Sequence, residues 1–226
     1  MEIERMRDVQ AELKQAMRER WNQKGGGYDD VGAHGTKTPE EKELWRQILG
    51  RLGPGRLSVL DVGTGTGFLA IMSAEMGHRV TGIDWSDTML AQARAGAKEA
   101  NLEVSFVEGD AEALPFGAGE FDAVVARHLL WTLTDPQRAI SEWARVLKPG
   151  GRILADFSHR RPGAADHHYP PEIGEKLPLN RTIDPAKVAV LFTQAGFTGV
   201  QVETLPRTSD HSRATYLISG SRAGRC

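Results

Sequence analysis

A chain of 226 residues is enough for one α/β domain with a complete core and short for two. Lysine and arginine number 28 against 30 aspartates and glutamates, a formal net charge of −2, so no overall basic field is available to recruit nucleic acid. The one cysteine, Cys226, excludes an internal disulfide and a cysteine metal cluster, and the charged start and lack of an ~18-residue apolar run predict a soluble cytoplasmic protein without signal peptide or membrane span.

Ile3, Met6, Val9, Leu13, Met17 and Trp21 recur at three- and four-residue spacing with charges between them, the pattern of an amphipathic helix. Gly25, Gly26 and Gly27 stop it, and residues 28–37 lack periodicity and read as a loop. A second helix opens with Thr38 as N-cap, Pro39 at N1 and Glu41 closing a capping box. It carries Leu44, Trp45, Ile48, Leu49 and Leu52 and ends at Gly53-Pro54-Gly55. From residue 57 strand and helix alternate: strands at 57–62, 79–83, 103–107 and 121–126, helices over 68–76 and from a Ser86 cap to about Asn101. Asp135-Pro136 starts a helix bearing Ala139, Ile140, Trp143 and Leu147, and Lys148-Pro149-Gly150-Gly151 turns into a strand at 152–157. The irregular stretch 158–181, rich in Pro, Gly and His, has the length of a functional loop. Asp184-Pro185 begins a last helix ending at Gly196, and strands 200–205 and 215–219, with no helix between, predict an antiparallel hairpin at one edge.

The order predicts an α/β, Rossmann-like doubly wound sheet, mostly parallel with an antiparallel C-terminal hairpin and helices on both faces. It makes one domain over 1–226, divided into a helical N-terminal segment 1–55, a core 56–157, a loop 158–183 and a C-terminal helix and hairpin 184–226.

Between the first strand and its helix lies Leu60-Asp61-Val62-Gly63-Thr64-Gly65-Thr66-Gly67. Gly63 and Gly65 permit backbone angles that a Cβ forbids and let a ligand approach the main chain, while Gly67 lets the helix start tight against the strand. Asp84 ends the next strand, 19 residues beyond Gly65, where a carboxylate accepts both hydroxyls of a ribose. The Gly-x-Gly-x-Gly spacing departs from the Gly-x-Gly-x-x-Gly of dinucleotide sites, and the bulk of Phe68 disfavours a pyrophosphate at the helix end. The ligand wanted here has a ribose and no diphosphate, which disfavours a nicotinamide-dependent oxidoreductase.

Asp61 to Gly67 resembles motif I of the class I S-adenosylmethionine-dependent methyltransferases. Gly82-Ile83-Asp84-Trp85-Ser86-Asp87-Thr88-Met89-Leu90 is similar to their second motif, and Glu108-Gly109-Asp110-Ala111-Glu112-Ala113-Leu114-Pro115-Phe116 to the third. Phe121-Asp122-Ala123-Val124-Val125 and Arg145-Val146-Leu147-Lys148-Pro149-Gly150-Gly151 look like the fourth strand and the turn before the fifth. The motifs cover residues 57–157 in the order of the ubiquinone-biosynthesis-like branch. The resemblance implies S-adenosylmethionine as cofactor, S-adenosylhomocysteine as product, and methyl transfer to a small molecule by in-line displacement. It implies that Gly63 and Gly65 line the methionine part, with Asp61 organising its amino group, and that Asp84 holds the ribose hydroxyls. Asp110 then accepts from the adenine amino group, the Ala111 N–H faces a ring nitrogen, and Trp85 and Met89 pack on the adenine faces, core packing being their plainer explanation. Thr64, Gly67, Gly109 and Arg127 belong to the same cofactor-binding set.

Ligands of open α/β sheets lie beyond the carboxyl ends of the strands, which puts Arg127 and His128 at the acceptor side. His128 is a candidate general base, with orientation of a helix end as its structural alternative. Arg127 faces the cofactor carboxylate or a structural one. By the same resemblance Trp21, Tyr28 and His34 form a lid over the methionine end, Tyr28 and His34 joining His128 as catalytic candidates, unless residues 28–37 are a solvated linker. Asp156, His159, Asp166, His167, His168 and Tyr169 crowd the loop after the fifth strand, where they shape the acceptor site. Adjacent histidines rarely ligate one ion, so no metal is expected, and Arg160-Arg161 read as a solvated turn. The expected partner is a small methyl acceptor, with neither nucleic acid nor membrane, for a monomer or homodimer. Transfer to RNA or protein, and cofactor binding without catalysis, stand as alternatives. Against RNA is the absence of an Asn-Pro-Pro-Tyr-type tetrapeptide, Arg-His-Leu-Leu occupying its place.

Overall fold

A computed structural model describes residues 2–24, 38–158, 169–180, 184–206 and 214–224, with side chains from Val9 onward. The elements in chain order are α1 (Glu2–Lys24), α2 (Pro39–Gly50), β1 (Ser58–Val62), α3 (Phe68–Glu75), β2 (Arg79–Asp84), α4 (Asp87–Glu99), β3 (Val104–Glu108) and β4 (Phe121–Ala126). A 3-10 turn (Leu130–Thr132), α5 (Pro136–Val146), β5 (Leu147–Ser158), α6 (Pro171–Gly174), α7 (Pro185–Gln194), β6 (Phe197–Thr204) and β7 (Thr215–Arg222) complete them. Among the described residues the strands form one sheet in the order β3-β2-β1-β4-β5-β7-β6, parallel except for β7, which runs against both neighbours.

The central strands are apolar on both faces, as buried parallel strands are, and alternate residues feed two cores. Leu60, Val62, Val124, Ala126, Ile153, Ala155 and Phe157 pack with α5 and α7, around Trp143, Val188 and Phe192. Val59, Ala123, Val125 and Leu154 pack with α2 and α3, around Trp45, Ile48, Leu49 and Leu69. Helix starts follow their caps: the Thr38, Ser86, Asp135 and Asp184 side chains accept from the N–H of Glu41, Met89, Arg138 and Ala186.

Three expectations need correction. The turn 148–151 lies inside β5: Leu147 pairs with Phe121 and Arg152 with Ala123, so the residues between them form a bulge in a strand that continues to Ser158. Asp156 lies in β5, as the strand expected at 152–157 has it, and not among the loop residues with which it was grouped. The stretch expected to be irregular over 158–181 contains α6, and Tyr169 is buried at 1% exposure. The hairpin is at the sheet edge as expected, with β7 inside and β6 outermost. No helix of the described residues is long and apolar enough to cross a membrane.

Candidate active site

The carboxyl ends of β1, β2, β3 and β4 open on a cleft of about 700 Å³, solvent at its mouth included. Gly63, Gly65, Asp84, Trp85, Met89, Gly109, Asp110, Ala111, Arg127 and His128, all expected at the site, line it. A narrower crevice beside it is bounded by Asp61, Thr64, Phe68 and Leu69 and shares Gly63, Gly65, Arg127 and His128.

The glycine turn is fixed from below. Asp61 Oδ2 accepts from Thr64 Oγ1 at 2.6 Å and from the Ala70 N–H at 3.0 Å, so this carboxylate and the Thr64 hydroxyl bind each other and the start of α3. Gly63 stands at φ +66 with Leu129 against it, and a Cβ there would come within 2.6 Å of Leu129 Cδ1. Gly65 stands at φ +54 and a Cβ there would meet nothing within 4 Å, since it would project into the open cleft. Gly67 lines neither the cleft nor the crevice. A Cβ on it would meet Ala93 of α4 at 3.0 Å, so its smallness serves the contact between α3 and α4 and not the strand contact that the sequence suggested.

Asp84 spans the turn: Oδ2 accepts from the Gly65 N–H and Oδ1 from the Ser86 N–H, each at 2.9 Å. Burial pushes its carboxyl up from the usual range, against these N–H bonds. Asp61, sealed more completely, rises to about 7 through burial, its bonds to Thr64 and Ala70 opposing.

Arg127 lies on the α2 and α3 side of β4, its guanidinium 4.7 Å from the Phe68 ring and 5.3 Å from that of Trp45. Its charge acts on both Asp61 and Asp156. His128 has the left-handed φ of 55°, rare outside glycine and costing roughly 1–3 kcal/mol. Its N–H donates to Asp156 Oδ1 at 2.5 Å, and its Nδ1 lies 3.3 Å from Asp156 Oδ2.

Helix α1 covers the far end of the cleft. Lys14 Nζ lies 2.6 Å from Asp110 Oδ2 and 2.7 Å from Glu112 Oε2, Arg18 pairs with Glu108, and Asn22 bonds Ser86. Trp21 lines the cleft and donates from Nε1 to the Tyr169 hydroxyl at 2.6 Å, in an aromatic group with Trp131. Tyr28, His34, His159, Arg160, Arg161, Asp166, His167, His168 and Cys226 lie outside the described residues.

Sequence reasoning missed Lys14, Glu112 and the partnership of Asp156 with His128. The signal for Asp156 was a carboxylate inside the apolar run Ile153-Leu154-Ala155-Asp156-Phe157. No pattern marked Lys14 among the charges of α1.

Residues 60–155 match a protein-family profile described as a methyltransferase domain. The chain is 47% identical over 98 residues to a demethylmenaquinone methyltransferase of Thermus thermophilus, 42% of this chain and 44% of that protein. It is 33% identical over 166 residues to a malonyl-(acyl-carrier protein) O-methyltransferase of Erwinia pyrifoliae, 70% of this chain and 61% of that one. Each match spans less than two thirds of the relative's length. A phosphoethanolamine N-methyltransferase 2 of Haemonchus contortus, solved in complex with S-adenosyl-L-methionine, superposes with a TM-score of 0.71 at 20% identity, over 89% of this chain and 57% of that one.

Proposed function

We propose that the chain transfers the methyl group of S-adenosylmethionine to a small molecule, a reading supported by the match of residues 60–155 to a methyltransferase-domain profile and by the strand order of the sheet. The observation that carries the proposal is the Gly65–Asp84 pair. A fixed carboxylate and a glycine whose missing Cβ faces open space share one cleft wall, which is the cradle a ribose and its substituent need. The charge balance agrees: Asp61 and Asp156 lie within the influence of Arg127, and Asp84 within that of Asp61, so carboxyls outnumber the guanidinium, a setting that favours a ligand carrying positive charge. Phe68, in the first turn of α3, stacks beside Arg127 where a dinucleotide would need room for its pyrophosphate.

When bound, S-adenosylmethionine supplies a methyl group on a sulfonium, with a neutral thioether as leaving group. The protein's work is then mostly alignment, which can lower a barrier by ~7–11 kcal/mol. Asp84 holds the ribose hydroxyls, and the Asp61-supported turn together with Arg127 takes the amino-acid end. Asp110 and the Ala111 N–H receive the base between Trp85 and Met89, Asp110 dividing its acceptor capacity with Lys14. Trp21 and Leu129 shield the centre from water. His128 faces the acceptor and removes its proton.

Thermal unfolding and calorimetry with S-adenosylmethionine, S-adenosylhomocysteine and NAD test the proposal. The first two are expected to bind and raise the Tm, and NAD to leave it unchanged. Gly65→Asn, a residue that tolerates the left-handed φ of 54°, is expected to keep the fold and lose at least tenfold in affinity for S-adenosylhomocysteine. Binding of NAD alone, or of none of the three, would overturn the reading.

A further inference from the structure

Asp156 is an expensive residue in its place. It is 1% exposed on a strand whose neighbours Leu154, Ala155 and Phe157 are buried apolar residues, and an ionised carboxylate there needs partners. Oδ1 takes the His128 N–H, while Oδ2 has no hydrogen-bond partner among the described residues and faces His128 Nδ1 at 3.3 Å. That separation is longer than a formed hydrogen bond, as such pairs often are before substrate is bound. The left-handed backbone of His128 is the second cost at the same point. The ring is 18% exposed and lines the cleft beside Leu129, Thr132, Leu133 and Trp21.

Resting on the methyltransferase reading, we propose that Asp156 is a positioning residue that keeps the proton of His128 on Nδ1, so that Nε2 serves as proton acceptor for a methyl acceptor bearing a hydroxyl on an apolar body. An amine that is already uncharged at neutral pH attacks without a base, so the buried carboxylate–imidazole pair favours an acceptor that must give up a proton, and the apolar walls favour a hydroxyl over an ammonium. A hydroxyl is a weak nucleophile until its proton is leaving. In the balanced step the acceptor O–H bond breaks and its proton passes to Nε2. The oxygen bonds the methyl carbon, and the carbon–sulfur bond leaves its electron pair on sulfur. The walls match an apolar acceptor body: Leu129, Leu133 and Trp21 carry no charge.

Among the described residues, Arg127 from the end of β4 acts on Asp156, and Asp61 from β1 and Asp84 from β2 line the crevice and the cleft that His128 also lines. Burial pushes the Asp156 carboxyl up to about 6, with Arg127 and the His128 N–H opposing, so it is mostly ionised at neutral pH and able to hold an Nδ1 proton.

Asp156→Asn separates positioning from plain structure. The amide oxygen still accepts the His128 N–H, whereas the amide N–H₂ donates to Nδ1 and moves the ring proton to Nε2, the wrong tautomer for a base. The test has two arms, both on the full-length chain. Long-range ¹H–¹⁵N spectra of histidine-labelled wild type are expected to show His128 protonated on Nδ1, and those of Asp156→Asn on Nε2. S-adenosylhomocysteine production is then measured across pH with a library of aromatic hydroxyl compounds matched to the corresponding amines and thiols. Turnover is expected with hydroxyl members, with kcat at least a hundredfold lower in Asp156→Asn, KM nearly kept, and recovery in part by Asp156→Glu. The same tautomer in both proteins, or an unchanged pH profile of kcat, overturns the positioning role. Turnover confined to amines or thiols, or absent with every hydroxyl compound, overturns the acceptor class. Thermal stabilisation of wild type by S-adenosylhomocysteine is read on the same samples. Its absence sinks the methyltransferase reading, while the spectra still decide the role of Asp156.

Discussion

Asp61 and Asp156 sit on one face of the sheet, each sealed from water and each within the influence of Arg127. Both carboxyls hold their proton more tightly in the folded chain than in the unfolded one, with values of about 7 and about 6 against 3.8. The stability they contribute is therefore complete below about pH 4 and is lost as pH rises through 6 and then 7. Each tenfold difference in proton affinity is worth ~1.4 kcal/mol. The ligand-free protein is expected to lose Tm between about pH 4 and 7 and to level off above, with a smaller loss in Asp156→Asn, in a series of calorimetric scans. A ligand carrying an ammonium group favours the ionised form of Asp61, so S-adenosylhomocysteine should flatten the slope; equal slopes in all three samples would refute this assignment. The glycines and Asp84 were legible from the chain because turn geometry restricts what residue can stand there. The His128–Asp156 contact was not, because 28 residues separate the two and only the pairing of β4 with β5 brings them together.

Helix α5 acts on the site without touching it. Trp143 Nε1 donates to the Ala111 carbonyl at 3.1 Å, and Arg138 Nε to the Glu112 carbonyl at 2.9 Å. Arg145 donates to the carbonyls of Leu114 and Phe116, while Glu142 accepts the Leu114 N–H. Just before the helix, Thr134 and Asp135 give their N–H groups to Glu112. The segment carrying Asp110 and Ala111 thus has little regular structure of its own and is held by α5 and by Lys14 of α1. Trp143→Phe keeps most of the apolar volume and deletes the donor to Ala111. It is expected to cost ~1–3 kcal/mol for the buried carbonyl left unpaired and to weaken S-adenosylhomocysteine binding severalfold, measured by thermal melts and calorimetry. A melt lowered with affinity intact would confine Trp143 to the core. The amphipathic pattern of α5 was plain in Ala139, Ile140 and Trp143, all fully buried. Its grip on the loop after β3 was not, because charged residues such as Arg145 and Glu142 look like a solvated face until their partners are placed.

The cleft lies where the strand order reverses, with β1 flanked by β2 on one side and β4 on the other, the position at which open α/β sheets bind ligands. Alternating strand and helix signals were enough to predict that crevice and the antiparallel hairpin. They did not say which hairpin strand lies inside, since 200–205 and 215–219 are similar in length and apolarity and only pairing partners distinguish them. Leu217 and Ile218 are fully buried on the two faces of β7. Leu217→Ala is expected to cost ~2–5 kcal/mol, a Tm lowered by roughly 5–15 °C, and a change below 2 °C in a melt would argue against an interior β7.

The inner place of β7 also imposes an order on synthesis. Ser158 of β5 meets Thr215 of β7 across 57 residues of chain, which a ribosome takes roughly 3–10 seconds to translate. For that interval the nascent parallel sheet carries a row of unsatisfied backbone groups along β5, the kind of edge that recruits strands from neighbouring chains. Chaperone demand in the cell should therefore peak while the residues between β5 and β7 are being made, after the ligand-binding half has already emerged.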